Sequence, residues 1–403
     1  MIVTGIRVSS VANDLGGRVW NPAIRWTVKH AVFVELEGGD GFCGLGECWC
    51  FDAAPDPLIA FLRTEVAPAV IGRDSEEIRD TLAALTRRAT LTARHGILAS
   101  ALSGIDIALW DLEAQALGRP LWQALNPDGT GVARLYASGG LYGQGKDADA
   151  LAGELAGYAD RGFFAVKMKI GGLSFAEDVA RVEAARRRLG PDVGLIIDGV
   201  YSYSADEAAA MFERVAPLGI LAFQSPVRAS DIAGMRRLAG KGIPVMAVEA
   251  EYRDEVFAEL IEERAVAILQ VSPIACGGVS RVAALAGRAE RVGIALSMET
   301  SSTAVATLAA AHLAAAFPVI SHVEFHMIHQ VFFDRLRLDG ETFRNSNWRL
   351  PAAPGLGLTL DPVRVAAGFH LTSPSGQGRS NEACREKSGP QKARSLGAEP
   401  HVD

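Results

Sequence analysis

The stretch Phe164-Ala165-Val166-Lys167-Met168-Lys169 decides the fold. Its apolar start gives way to two lysines flanking a methionine. In an extended strand, alternation puts Lys167 and Lys169 on one face and Met168 on the other. Runs of the same kind recur toward the C-terminus at Gly194–Asp198, Ile220–Gln224, Val245–Glu249, Ala267–Ser272, Ala295–Met298 and Ile320–Glu324. Longer stretches rich in Ala, Arg and Glu, with helical patterning, separate them. The run ends recur every 23 to 29 residues, and six of the seven runs end on a polar residue, Met298 being the exception. Strand then helix, seven times over, is the rhythm of a parallel sheet. At this density it favours a closed (β/α) barrel over an open doubly wound sheet.

N-terminal to the barrel the texture differs. Ile2–Val8, Ala31–Leu36 and Gly41–Cys50, the last after a Gly38–Gly41 turn signal, read as an antiparallel meander. Helices are expected over Asp56–Val66, Glu76–Thr86 and Ile97–Leu117, with Gly118 and Pro120 as the stop for the last. After Phe333 the pattern loosens. Residues 371–403, rich in Ser, Gly, Pro and charge, are expected to be a disordered tail. The 403 residues carry 40 Lys and Arg against 47 Asp and Glu, a net charge of −7 with a pI near 5.7. That balance argues against nucleic acid as a partner. No apolar run reaches the ~18 residues of a membrane span. MIVTGIRVSS lacks the basic start and apolar stretch of a signal peptide. Five cysteines are too few for a disulfide framework and suit a reducing, cytoplasmic home.

In a barrel, strand ends share one mouth. Here they bring Lys167, Lys169, Asp198, Gln224, Glu249 and Ser272. Charges turned inward must be paired, so the cluster is either a structural ring of ion pairs or a functional site.

The successive motifs Val166-Lys167-Met168-Lys169, Ile197-Asp198, Phe223-Gln224-Ser225-Pro226, Val248-Glu249 and Gly277-Gly278-Val279 resemble those of the mandelate racemase/muconate lactonizing branch of the enolase superfamily. The helix SALSGIDIALWDLEAQALGRP at 100–120 is similar to that branch's helix leading into the barrel. The resemblance covers about residues 1–368. It implies an α+β capping domain over a modified (β/α)8-type barrel, (β/α)7β. It also implies Mg²⁺ holding a substrate carboxylate while a base removes the α-proton. Lys169 would be that base, Lys167 would touch the carboxylate, and Asp198, Gln224 and Glu249 would stand at the metal positions. Glu324 would hydrogen-bond a substrate carboxylate oxygen.

The chain also departs from that pattern. The middle metal ligand, normally Glu, is Gln224, and its acidic follower is Ser225. Val200 replaces the Asn of the Asp-x-Asn motif, and Ser272 stands where Asp or Lys is usual. Met298–Ala304 (METSSTA) contains no His. With no base visible opposite Lys169, one-base chemistry is expected. The options are acid-sugar dehydratase, a related isomerase or cycloisomerase, or an impaired member that binds a carboxylate or a partner without turnover. Glu251 is a candidate compensating ligand but reads better as a solvated loop carboxylate. Arg18, Trp20 and Arg25 are substrate-binding candidates if 11–26 forms a loop over the site. His326, in step with Glu324, is another, and His322 and His329 bracket the same carboxylate. Cys43, Cys48 and Cys50, with Glu47, fit no common zinc spacing and read as packing. The expected partner is a small carboxylate substrate, with no nucleic acid and no membrane, and a homo-oligomer is expected. Expected boundaries are 1–130 for the cap, 131–330 for the barrel, 331–370 for a segment packing back on the cap, and 371–403 for the tail.

Overall fold

The computed structural model describes residues 1–39, 41–92, 94–328, 342–360 and 365–373. The chain opens with an antiparallel cap sheet of β1 (Val3–Trp20), β2 (Arg25–Gly38) and β3 (Cys43–Cys48). The first two form one long hairpin whose connection is only four residues, so the expected loop over 11–26 is mostly strand. Helices Ser75–Thr92 and His95–Ala116 follow. The latter lies close on β3 because Gly44 and Gly46 carry no Cβ; one added there would collide with the Ala108 and Gly104 carbonyls.

The barrel is closed and parallel. Its strands are β4 (Val132–Ser138), β6 (Ala165–Lys169), β7 (Gly194–Asp198), β8 (Ile220–Gln224), β9 (Val245–Ala247), β10 (Ile268–Val271), β11 (Ala295–Met298) and β12 (Ile320–His326), with the short β5 (Tyr142–Gly143) pairing instead with β1. They pair in that order, and β12 pairs with β4 to close the ring. Seven helices alternate with these eight strands, from Ala148–Asp160 to Ala304–Ala316. Two of the helices begin with capping boxes, Ser174 with Glu177 and Ser204 with Glu207. The seven runs in the sequence correspond to β6 through β12. The eighth strand, β4, precedes the regular texture, and Arg134 interrupts its apolar pattern. The wall side chains of neighbouring strands, such as Val166, Ile197, Phe223, Leu269 and Leu296, are fully buried in one continuous core. Past the barrel, β13 (Phe343–Arg344) and β14 (Asn347–Arg349) form a ribbon on β4, while β15 (Ala366–Thr372) pairs antiparallel with β1. No helix among the described residues is long and apolar enough to cross a membrane. Residues 374–403, which hold nearly all of the expected tail, and His329 lie outside the described residues.

Candidate active site

The C-terminal ends of the barrel strands open into a cavity of about 220 Å³ beneath the cap. Lys167 and Lys169 from β6, Asp198 from β7, Gln224 from β8, Glu249 two residues past β9, and Glu324 and His326 from β12 all line it. Register does this: Lys169 pairs with Asp198, and Asp198 with Gln224, across adjacent strands. From the cap, Trp26 and the Asn21–Ile24 turn cover the mouth together with Trp49 and Phe51.

The charges are tightly paired. Lys167, 1% exposed, sits 2.7 Å from Glu324 Oε1 and 3.7 Å from Asp198 Oδ2, and donates to Gln224 Oε1 at 2.8 Å. Burial would lower its pKa, but Glu324 and Asp198 outweigh that and hold it well above the usual lysine value. It is therefore a fixed ammonium. Lys169 Nζ pairs with Asp198 Oδ2. Glu324 is opposed by burial, yet Lys167 and Lys169 pull its pKa below the usual carboxylate range. Glu249 accepts from Ser225 Oγ at 2.6 Å; burial, then the Asp198 charge, push its pKa up. His326 is held neutral by burial and by the nearby lysines 29, 169 and 167.

Asp198, Glu249 and the Gln224 amide supply hard oxygen donors, the chemistry that suits Mg²⁺. The like charges of Asp198 and Glu249 lie close enough to raise the Glu249 pKa, as expected where a cation belongs between them. The set fits a divalent ion with two charged ligands. Among the described residues no group of three His, Cys, Asp or Glu side chains is assembled as a metal site.

Residues 150–364 match the model of the enolase C-terminal domain-like family, and residues 24–125 that of the mandelate racemase / muconate lactonizing enzyme N-terminal domain. This chain belongs to that branch of the enolase superfamily. It is 30% identical to arabinonate dehydratase of Saccharolobus solfataricus over 84% of this chain and 91% of that protein. It is 29% identical to D-galactarolactone cycloisomerase of Agrobacterium fabrum over 90% and 97%. The crystal structure of L-talarate dehydratase from Polaromonas sp. JS666, complexed with Mg and L-glucarate, matches with a TM-score of 0.77 at 27% identity, covering 92% of this chain and 99% of that one. Relatives of this kind are dehydratases, cycloisomerases and epimerases, and the chain is an enzyme of the same superfamily.

Within this enolase-superfamily mouth, some sequence-based expectations need correction. Arg18, Trp20 and Arg25 do not line the cavity. Strand alternation turns Arg18 and Arg25 to solvent; Arg25 donates to the Gly17 carbonyl at 3.0 Å and stacks 4.1 Å over Trp20, which packs on Tyr142. The turn residues between them face the site instead. Glu251 is not solvated and does not line the cavity. It is buried in a turn, bound by the Arg253 guanidinium and two backbone N–H groups. His326 is no solvated loop histidine: it is buried at 1% exposure and lines the cavity.

Two buried charged side chains, Glu299 and Lys29, escaped the sequence reading, and a third, Glu47, was weighed there only beside the cysteines. Glu299 directly follows β11 and lines the cavity. Its signal was the one run that ended on an apolar residue: the polar endpoint had slipped one position past Met298. Lys29 of β2, 5% exposed, hydrogen-bonds the Ser301 carbonyl and, at 2.9 Å, the Ser301 hydroxyl, and lies 4.2 Å over the Phe51 ring. Burial pushes its pKa down to about 7, against the pull of Glu299, Glu47 and Glu324. Glu47 of β3 accepts from Ser302 Oγ, from Thr303 Oγ1 at 2.6 Å and from the Ala306 N–H at 3.0 Å. Cap and barrel thus meet in one polar knot around residues 299–306. The sequence reading saw no base opposite Lys169 and weighed neither Glu299, which lines the same cavity, nor Lys29, which joins it through Ser301.

Proposed function

We propose that the protein is a Mg²⁺-dependent acid-sugar dehydratase. It would remove the proton α to the substrate carboxylate and expel the β-hydroxyl as water. A cycloisomerase reaction, which shares the first step, is the second reading, favoured by the 29% identical D-galactarolactone cycloisomerase. The observation that carries the proposal is the convergence of Lys167, Lys169, Asp198, Gln224 and Glu249 on one cavity. Burying that many charges costs several kcal/mol each unless something is gained, and a site without chemistry would have little reason to keep them. The sugar-acid dehydratases among its relatives support the substrate class.

In this reading Lys167, a fixed ammonium, receives the substrate carboxylate. Lys169 Nζ, on the same strand face two residues on, takes the α-proton. Asp198 and Glu249, with the Gln224 amide, would hold Mg²⁺, which when bound supplies Lewis-acid stabilisation of the enediolate. Trp26, Trp49 and Phe51 exclude water from above. The test is deuterium incorporation from heavy water across aldonates and aldarates, with and without Mg²⁺. Wild type should exchange the α-proton of at least one acid, and Lys169→Ala should abolish that exchange while binding persists. Undiminished exchange in Lys169→Ala would place the base elsewhere.

A further inference from the structure

β-Elimination needs two groups: a base for the α-proton and an acid for the departing hydroxyl, since hydroxide is a poor leaving group. The chain must therefore present a proton donor to the same cavity as Lys169. Glu299 fits that need by position. It is 3% exposed and lines the cavity. Around the ring, β4 and β12 stand between β6 and β11, so Glu299 and Lys169 approach the cavity from well-separated parts of the wall.

Its two oxygens are used differently. Oε1 accepts from the Ser301 N–H at 2.6 Å. Oε2 is buried, and the donor it has beside it is the Ser272 hydroxyl, which is itself otherwise unpaired. A buried ionised carboxylate held by one N–H and one hydroxyl is costly, and the neutral acid, free to turn its proton toward the cavity, costs far less. Resting on the reading in which Lys169 takes the α-proton, we propose that Glu299 is the acid that protonates the leaving β-hydroxyl of the substrate.

The charged surroundings agree. Burial, then the Glu324 charge, push the Glu299 pKa up to about 8, against Lys29 and against the Ser272 hydroxyl and the Ser301 N–H, which bond the carboxyl. At neutral pH the group is thus mostly the neutral acid. Lys29 reaches it through Ser301, whose N–H binds Glu299 and whose carbonyl and hydroxyl bind the Lys29 ammonium. Glu47, Glu324 and Lys169 complete the set of charges facing Lys29. In its charged form Lys29 is placed to stabilise the carboxylate left after donation.

The balance is as follows. The α-C–H bond breaks, its proton goes to the Lys169 amine, and its electron pair is delocalised into the carboxylate as the enediolate. That pair then forms the Cα–Cβ double bond as the Cβ–O bond breaks. The departing oxygen takes the Glu299 proton and leaves as water. The enol tautomerises to a 2-oxo acid, Lys169 returns its proton to solvent, and Glu299 regains one.

The test uses the full-length Mg²⁺-loaded protein and a panel of arabinonate, gluconate, talarate and galactarate. Two readouts are followed, α-deuterium exchange by mass spectrometry and 2-oxo acid by semicarbazide absorbance. Glu299→Gln keeps the shape and neutrality of the acid but has no labile carboxyl proton. It should hold exchange within about threefold of wild type and lower 2-oxo acid formation by roughly 100-fold or more. The β-fluoro analogue of the responding acid, whose fluoride departs without a proton, should react at close to the wild-type rate. Loss of exchange and elimination together in a folded variant, unaltered elimination, or an equal loss with the fluoro analogue would overturn the proposal. If Glu299→Gln does not fold, Glu299→Asp decides: a fall in elimination relative to exchange supports the role, and an unchanged ratio overturns it. Wild type that exchanges without eliminating sinks this inference and spares the α-proton reading; wild type that does neither sinks that reading, and this inference with it.

Discussion

Replacing Gln224 by Glu restores a third negative charge to the proposed metal site. The Gln224 amide oxygen now accepts from Lys167 at 2.8 Å and adds no net charge beside Asp198 and Glu249. A unit charge ~4 Å from a dication, at an effective dielectric near 20, is worth roughly 8 kcal/mol. Two terms oppose it. Lys167 would claim part of the new carboxylate, and a carboxylate in a closed mouth pays several kcal/mol of desolvation. A net gain of about 1.4 to 3 kcal/mol remains, or tenfold to a hundredfold in affinity. Calorimetric titration of Mg²⁺ into wild type and Gln224→Glu reads it directly. Weak binding is expected in wild type, with a clear tightening in the variant. Micromolar or tighter wild-type affinity, or no change in the variant, would refute the charge argument.

Lys167→Met should leave Glu324 buried without its cation and cost about 3 to 5 kcal/mol in chemical denaturation, most of it recovered by adding Glu324→Gln. A cost below ~1 kcal/mol would show that the pair contributes little. His322, packed edge-on against Tyr136 and Phe164, has its pKa pushed down to about 4 by burial, then by Arg134 and Lys167. A histidine depressed in the folded state binds its proton more readily when unfolded. Its contribution is therefore present above about pH 6.5 and lost as pH falls toward 4, by about 3 kcal/mol. Tm measured against pH should fall less steeply in His322→Phe, although His312, also held near 4 by burial, keeps part of the slope. With burial and the Glu324 charge pushing the Glu299 pKa up to about 8, its proposed role as the acid requires the ratio of elimination to α-exchange to drop above that pH, and a flat ratio up to pH 10 would contradict it.

The barrel was legible because its periodicity is a property of the wall. Val166, Ile197, Phe223 and Leu296 repeat the same apolar signal, and the strand ends fall where that signal stops. The strand ends that bring Lys167, Lys169, Asp198, Gln224 and Glu249 to one cavity were legible for the same reason. The cap contributions were not. Lys29 sits in a strand of mixed polarity, and nothing in its neighbours announces that a lysine is buried there; only docking of β2 on the Ser301 turn makes it so. Arg18 and Arg25 looked like ligands because the family resemblance implied a loop there closing over the substrate. Their side of the hairpin depends on a register that shifts between Asp14 and Val19, which composition cannot disclose.

The pairing of β15 with β1 joins Gly5 to Thr372. As a chain emerges from the ribosome, β1 and β2 can form their hairpin at once. The outer edge of β1 then stays open through synthesis of the entire barrel, exposing ladder groups to any stray strand. Contacts this distant in sequence are slow to form, since a long loop must close before they give any return. The first element made is thus the last completed, and the hairpin turn that roofs the cavity belongs to that element. A nascent or clipped chain ending before residue 366 would hold a finished barrel under an unfinished lid. Such a species should be prone to edge-to-edge association and slow to become competent, whatever the quality of its catalytic side chains.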